Sequence, residues 1–460
     1  MPKSKNNNGI VLLSCLAFVC LFSAFAVSMA TMSITNVRIA NNRQKANKAL
    51  NSALSGLEVT RYWLKGIQIP GSVGPSQRLY AVNTALNNKL TAQSISNINT
   101  SYSSGYNLVN ISNVTLNPST NQTFSAIISQ PDADTIQLTI TGRCGEFSKQ
   151  ISTNFEFGTI GNSVFDFGVA SKGPLIMSGQ AEIDAVNLAI EASVYIEGTN
   201  ISGDAFSITN NASVAGDVTI ANEYGTYSIG SRSSVGGASG NDALDHIFVG
   251  ADYVEFPTPQ PTYFSQFATG AVMDTPDDWD NHDTLNNVTI AAGTNPTFAS
   301  DVTINGVLFI EYPNTVTFAG KSVINGILVG NGPINNEQGS SSINFSGQVI
   351  CNSVSVLNPL IFGDVTQETG TFICAPGFNL DFSGQANQIS GAIAANGISF
   401  TGQAGGTVNG SIINYSTTPM DMSGQSTLLF NRSGVETDPS GFVPVKILQY
   451  IPSSYSENPI

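Results

Sequence analysis

Apolar residues run without a charge from Ile10 to Ala30, then thin to every third or fourth position at Ala46, Ala49, Leu50, Ala53, Leu54, Leu57 and Leu64, with no proline before Pro70. The first stretch is long enough to cross a bilayer, and the second keeps the helical period with one apolar face. Together they predict a single helix of roughly 55 residues, on the order of 80 Å long. It is placed within residues 10–69, with 10–30 as the membrane-spanning half. Ser28-Met29-Ala30 also fits a signal-peptide cleavage site, but a removed signal gives no reason for the helical pattern to continue past it. Lys3 and Lys5 favour a cytoplasmic N-terminus and an external body, whereas Arg38, Arg43, Lys45 and Lys48 oppose that bias.

Beyond Gly105 the period shortens to two. Tyr106–Leu116, Thr123–Ser129, Thr135–Thr141 and Phe147–Phe157 read as an antiparallel meander, with Gly142 and Gly145 among the turns. This makes 70–160 a linker followed by a small β module. After Gly161 a longer recurrence takes over: Met177-Ser178-Gly179-Gln180, Phe345-Ser346-Gly347-Gln348, Phe382-Ser383-Gly384-Gln385, Phe400-Thr401-Gly402-Gln403 and Met422-Ser423-Gly424-Gln425, with a degenerate Phe318-Ala319-Gly320-Lys321. The later copies lie about 20 residues apart, a period that belongs to solenoids. A right-handed parallel β-helix over 161–434 accounts for it. Levels would stack about 4.8 Å apart, with the apolar residue inward, Gly at the corner and Gln stacked along the turn. Irregular sandwich strands would not repeat the motif. Residues 223–287 break the period and read as an excursion, and 435–460 as a tail. The fold class is therefore mainly β behind one long helix.

Only 11% of residues are charged and 44 are Gly, a mix suited to many short strands and tight turns. The net charge of −15 argues against nucleic acid, whose phosphates need clustered Lys and Arg. Cys15 and Cys20 fall in the apolar helix; Cys144, Cys351 and Cys374 are scattered. Cys351 and Cys374 are about one repeat apart, so a disulfide and two buried free thiols are both open readings. The run from Asp274 to Asp283 offers Ca²⁺ its preferred oxygen ligands in Asp274, Asp277, Asp278 and Asp280. It matches neither an EF-hand loop nor the Gly-rich nonapeptide Ca²⁺ repeat, and a solvated acidic loop is the simpler reading, so no metal or cofactor is expected. His246 and His282, the pair Glu182 and Asp184, and the pair Asp242 and Asp245 read as surface groups. No nucleophile elbow, nucleotide loop or zinc spacing occurs, and no enzymatic activity is expected.

The basic leader ending at Gly9, the apolar stretch and its amphipathic continuation resemble the type IV pilin and pseudopilin superfamily. That resemblance implies cleavage by prepilin peptidase between Gly9 and Ile10, a membrane-held subunit, and assembly with other pilin-like subunits through the helix. Ser14 stands where most members have Glu at the fifth mature position, which points to the minor or assembly-factor branch. The "SGQ" blocks and "VING" turns resemble β-helical bodies that follow prepilin-type helices in pilus-assembly-like proteins. The expected function is a minor pilin-like or pseudopilin-like subunit of a type IV pilus or type II secretion-like filament, displaying a β-helical body for reach or adhesion. A permanently anchored adhesin is the alternative, with a glycan-active enzyme behind it.

Overall fold

The computed structural model describes residues 8–93, 95–198, 203–276, 284–334, 341–434 and 438–458. Two compact units divide the chain: Met1–Ile67, Pro75–Phe157 and Leu448–Ile460 form one, and Gln68–Gly74 with Gly158–Ile447 form the other.

The first unit begins with α1, Asn8–Leu64, one continuous helix as the pattern requires and ending earlier than residue 69. It also holds β1 (Thr100–Ser103), β2 (Leu108–Asn117), β3 (Gln122–Ser129), β4 (Thr135–Cys144) and β5 (Phe147–Ile160). Successive pairs from β1 to β5 are antiparallel. Two features depart from expectation. The stretch taken as linker contains a second helix, α2, Pro75–Ala92, whose Leu79, Val82, Leu86 and Leu90 make a buried stripe. Its Arg78 is tied to Asp134 at 2.8 Å. The supposed C-terminal tail contains a strand, Val445–Asn458, which lies next to β5 in the sheet. A sheet edge leaves backbone groups unpaired, and this segment satisfies them from some three hundred residues away, as in the Asn154 N–H donating to Ser454 Oγ at 2.7 Å.

The second unit is built on parallel pairing. Strands recur in threes, and each of the three follows its own ladder. In one ladder Phe298, Phe318, Phe345, Phe382, Phe400, Met422, Met177, Ile208 and Ile229 succeed one another in register. The five rings are nearly parallel, with centroids 4.9, 5.0, 4.7 and 4.8 Å apart. Such pairs add about 0.5–1.5 kcal/mol each beyond the area they bury. Where a ladder turns to the next, the Asn of Ile-Asn-Gly forms a second column. Asn305 donates to Asn286 at 3.0 Å, Asn325 to Asn305 at 2.9 Å, and Asn352 to Asn325 at 2.8 Å.

The order of levels is not the order of the sequence. Val169–Ser171, the first strand of this series, pairs with Val194–Ile196 on one side and with Ile412–Asn414, near the last, on the other. From there the ladder continues outward through Val218–Ile220 to Ile247–Val249. The chain then re-enters at Val272–Met273, beside Thr289–Ile290, and returns level by level to Ile412. Residues 226–249 are therefore part of the ladders rather than of an excursion. They lack the motif but keep its inward apolar residues, Ile229, Val235 and Ile247, on the same columns.

What leaves the ladders is a strap, residues 250–271. It lies over the outward side of the first strand in each set. Phe256 packs with Ala170, Tyr195, Ala394 and Ile413, and Phe264 with Val307, Phe309, Val329 and Cys374. Thr258–Pro259 pairs antiparallel with Phe442–Val443. Three prolines in the strap, Pro257, Pro259 and Pro261, are buried, and lacking N–H groups they leave no donor to satisfy there.

Asn325 gives one side-chain hydrogen bond and receives another, so Asn325→Ala is expected to cost about 1–2 kcal/mol, and Asn352→Ala, which loses the one bond it donates to Asn325, about half as much. Denaturant titration of each variant measures the difference; equal losses would argue against a stabilising column.

Candidate functional site

Two features stand out for chemistry: the free half of α1, and a charged cluster under the strap.

Along α1 the surface changes character near Lys45. Leu12, Phe22 and Met29 are 70–73% exposed, and the apolar surface continues to Ile39. Water around a continuous apolar helix of this length is strongly unfavourable; the span is long and apolar enough to cross a membrane. Beyond Lys45, Ala49, Ala53, Leu57, Thr60 and Leu64 are buried, one face at helical spacing. This face lies on β3 and β4. The approach is close because glycines meet it: a Cβ on Gly142 of β4 would stand 2.2 Å from the Ala53 nitrogen and 2.3 Å from the Ala49 carbonyl oxygen. Gly56 likewise lies against the Phe124 ring, its Cβ position 2.7 Å from it. Gly9 and Ile10 lie in the first turn of α1 and Ser14 one turn later.

The recurring glycines serve two different ends. Gly179, Gly402 and Gly424 have φ of 75, 68 and 78°, the left-handed region that favours glycine. Gly347 and Gly384 do not; there a Cβ would stand 2.0 Å from the carbonyl oxygen of Gly320 and of Gly347, respectively, so close stacking excludes it. All five glutamines of the motif are exposed. Three of them stack as predicted: Gln403 donates to Gln425 at 3.4 Å and Gln425 to Gln180 at 3.1 Å. Gln180 and Gln425 line a shallow polar groove of about 370 Å³ with Glu182, Asn211, Ser213 and Thr427.

Cys351 and Cys374 do not form a disulfide; both are free. Cys351 pairs in register with Ile324 and Cys374 with Val329, which puts them on different ladders, Cys351 in the central cluster and Cys374 beneath Phe264 of the strap. Burial pushes both thiols up, Cys374 to about 12. Of the candidate calcium residues, Asp274 is described, and Asp277, Asp278 and Asp280 lie outside the described residues, as does His282. His246 Nδ1 is 2.8 Å from Asp217 Oδ1 at the surface.

The cluster under the strap gave no sequence signal, because its members come together only when the strap closes. Lys172 lies 5.2 Å from the Phe256 ring centroid and 5.8 Å from that of Tyr415, a cation–π arrangement. The Tyr415 hydroxyl donates to the Pro257 carbonyl at 2.5 Å, and the Val254 N–H donates to the Tyr195 hydroxyl at 3.0 Å. Glu255 lies beside Tyr253, Lys172 and Glu197. Burial raises its carboxyl to about 7; Lys172 and a Tyr253 hydrogen bond oppose the rise, while Glu197 adds to it. Burial likewise raises the Tyr195 and Tyr415 hydroxyls. The cluster joins strap to ladder through neutral tyrosines, one lysine and a carboxyl that is protonated over part of the ordinary pH range.

Helix and sheets define the class: a mainly β chain behind one long apolar N-terminal helix. No family model matches it, and no curated protein does. Among solved structures it is similar to the competence-associated pilin ComZ from Thermus thermophilus, at 11% identity over 90% of this chain and 97% of that one, with a TM-score of 0.24. Likeness at that level carries no argument.

Two predictions follow from these contacts. Gly142→Ala forces α1 away from β4 and is expected to cost about 1–3 kcal/mol, read as a lowered thermal midpoint in detergent. Between pH 4.5 and 7 the folded chain keeps a proton on Glu255 that the unfolded chain has released, so this group makes stability fall as pH rises through that window. Glu255→Gln should flatten the slope by about 1–3 kcal/mol between pH 5 and 8; an unchanged slope in urea titrations at the two pH values would refute the assignment.

Proposed function

We propose that this chain is a membrane-anchored, pilin-like structural subunit of the minor type, whose second unit is a parallel β-helix displayed outside the cytoplasm. The observation that carries the reading is the division of α1: its first half is apolar and exposed on every side, while its second half is docked on an antiparallel sheet. A membrane anchor alone needs only the first half. A rigid continuation bonded to a folded head also fixes where that head stands relative to neighbouring helices, as a filament subunit requires. Three strands recurring in fixed order, each on its own parallel ladder, support the β-helix. The body acts in this reading by presenting a surface, not by catalysis.

Intact-mass measurement of the protein from membranes of a host with prepilin peptidase tests the assignment. The expected product begins at Ile10; an intact leader with membrane retention would instead favour a permanently anchored adhesin. Phe22→Asp, placing a charge in the exposed apolar half, is expected to shift at least half of the protein from the membrane to the soluble fraction on centrifugation, since a central carboxylate costs about 2.5–3.5 kcal/mol. Unchanged partitioning would count against insertion through this helix.

A further inference from the structure

Charge is divided unevenly between the two units. Twelve of the 17 basic residues but only six of the 32 acidic ones belong to the first unit, leaving five and 26 in the second. The first unit is thus cationic within a chain of net charge −15. Four of its cations, Arg38, Arg43, Lys45 and Lys48, fall within eleven residues of α1, at the end of the exposed apolar surface, and no Asp or Glu precedes Glu58. Arg38, Arg43 and Lys45 are exposed. Among the described residues no carboxylate pairs with any of the four. Lys45 rests over the Phe147 ring, 5.8 Å from its centroid.

We propose that this collar binds anionic phospholipid headgroups on the face of the membrane that carries the folded body; the inference rests on the membrane insertion proposed above. Three observations select lipid as the occupant. The collar begins where the apolar surface ends, at Val37 and Ile39. If some twenty residues from Ile10 fill the hydrocarbon, Arg38 lies about 12 Å farther along the axis, and a long basic side chain reaches back toward the interface. Arg38 and Lys45 are seven residues apart, two turns, and so share a side of the helix, while Arg43 points elsewhere. Cations distributed around a helix suit a surface that surrounds it, and four of them without counter-ions suit an anionic one. The acidic second unit is repelled by the same surface, so the charge division favours one end of the chain at the lipid.

The test is lipid selectivity of the full-length protein in phosphatidylcholine vesicles carrying trace spin-labelled phosphatidylglycerol or phosphatidylcholine. Electron paramagnetic resonance reads the fraction of each label immobilised at the protein. The wild-type chain is expected to enrich phosphatidylglycerol about three- to tenfold over phosphatidylcholine, and 1 M NaCl should remove most of the preference. Combining Arg38→Gln, Arg43→Gln, Lys45→Gln and Lys48→Gln should abolish it, whereas Arg38→Lys with Arg43→Lys should retain it; thermal melts check folding. Equal enrichment of both lipids by the wild type, or selectivity that survives in the folded glutamine variant, overturns the proposal while leaving membrane insertion intact. No immobilised component with either label overturns insertion and the collar together. Salt-sensitive crosslinking between copies through residues 38–48, with no lipid preference, would assign the collar to a second copy and also overturn it.

Discussion

In a parallel ladder each residue sits directly over its counterpart, so a side chain that fits at one level must fit again at the next. That constraint governs the second unit. It explains why aromatic residues recur at one column and asparagines at another, and why glycine appears where a carbonyl of the adjacent level comes within 2.0 Å of a would-be Cβ. Five phenylalanines stacked at nearly constant spacing and three consecutive asparagine hydrogen bonds are the same requirement met by apolar and by polar chemistry. The column tolerates exchange for flexible or branched apolar residues, as Met422, Met177, Ile208 and Ile229 show, because methionine and isoleucine fill comparable space without the ring geometry.

A ladder also creates outward faces, and this chain covers one of them with itself. Outward residues such as Phe309, Val329, Ile413 and Tyr195 are apolar because the strap lies over them. The strap exists because the chain grows in two directions from its first strand and must travel between the two ends. Its packing brings Glu255, Glu197 and Lys172 together, each half-buried, and burial there raises the Glu255 carboxyl to about 7. Packing of the strap and titration of Glu255 are therefore coupled at a place that the local sequence does not mark.

The first unit meets a different constraint. A helix docked on a sheet must bury one face, and α1 does so through small residues, Ala49 and Ala53, against Gly142. The same helix carries an exposed apolar surface, followed by cations that pair with no carboxylate among the described residues. In the proposed reading lipid answers both requirements, hydrocarbon for the first and anionic headgroups for the second.

Periodicity made the long helix, the meander and the twenty-residue recurrence legible, because each has a repeat that one-dimensional patterning reports: 3.6, 2 and one level of the ladder. The turn residues Gly179, Gln180, Gly424 and Gln425 were legible for the same reason, being marked by local spacing. Helix α2 was missed where short apolar steps between Pro70 and Gly105 resembled a linker. The order of levels, the role of the last strand and the fate of Cys351 and Cys374 were decided only in three dimensions. Pairing of Val169 with Ile412, or of Ser454 with Asn154, joins residues hundreds of positions apart, and nothing local encodes which partner closes a sheet edge. The sequence by itself determined the long helix, the meander and the repeat, since those follow from each residue's own neighbours; tertiary structure alone decided how the elements close on one another, since that is fixed by which unpaired edges and apolar faces meet.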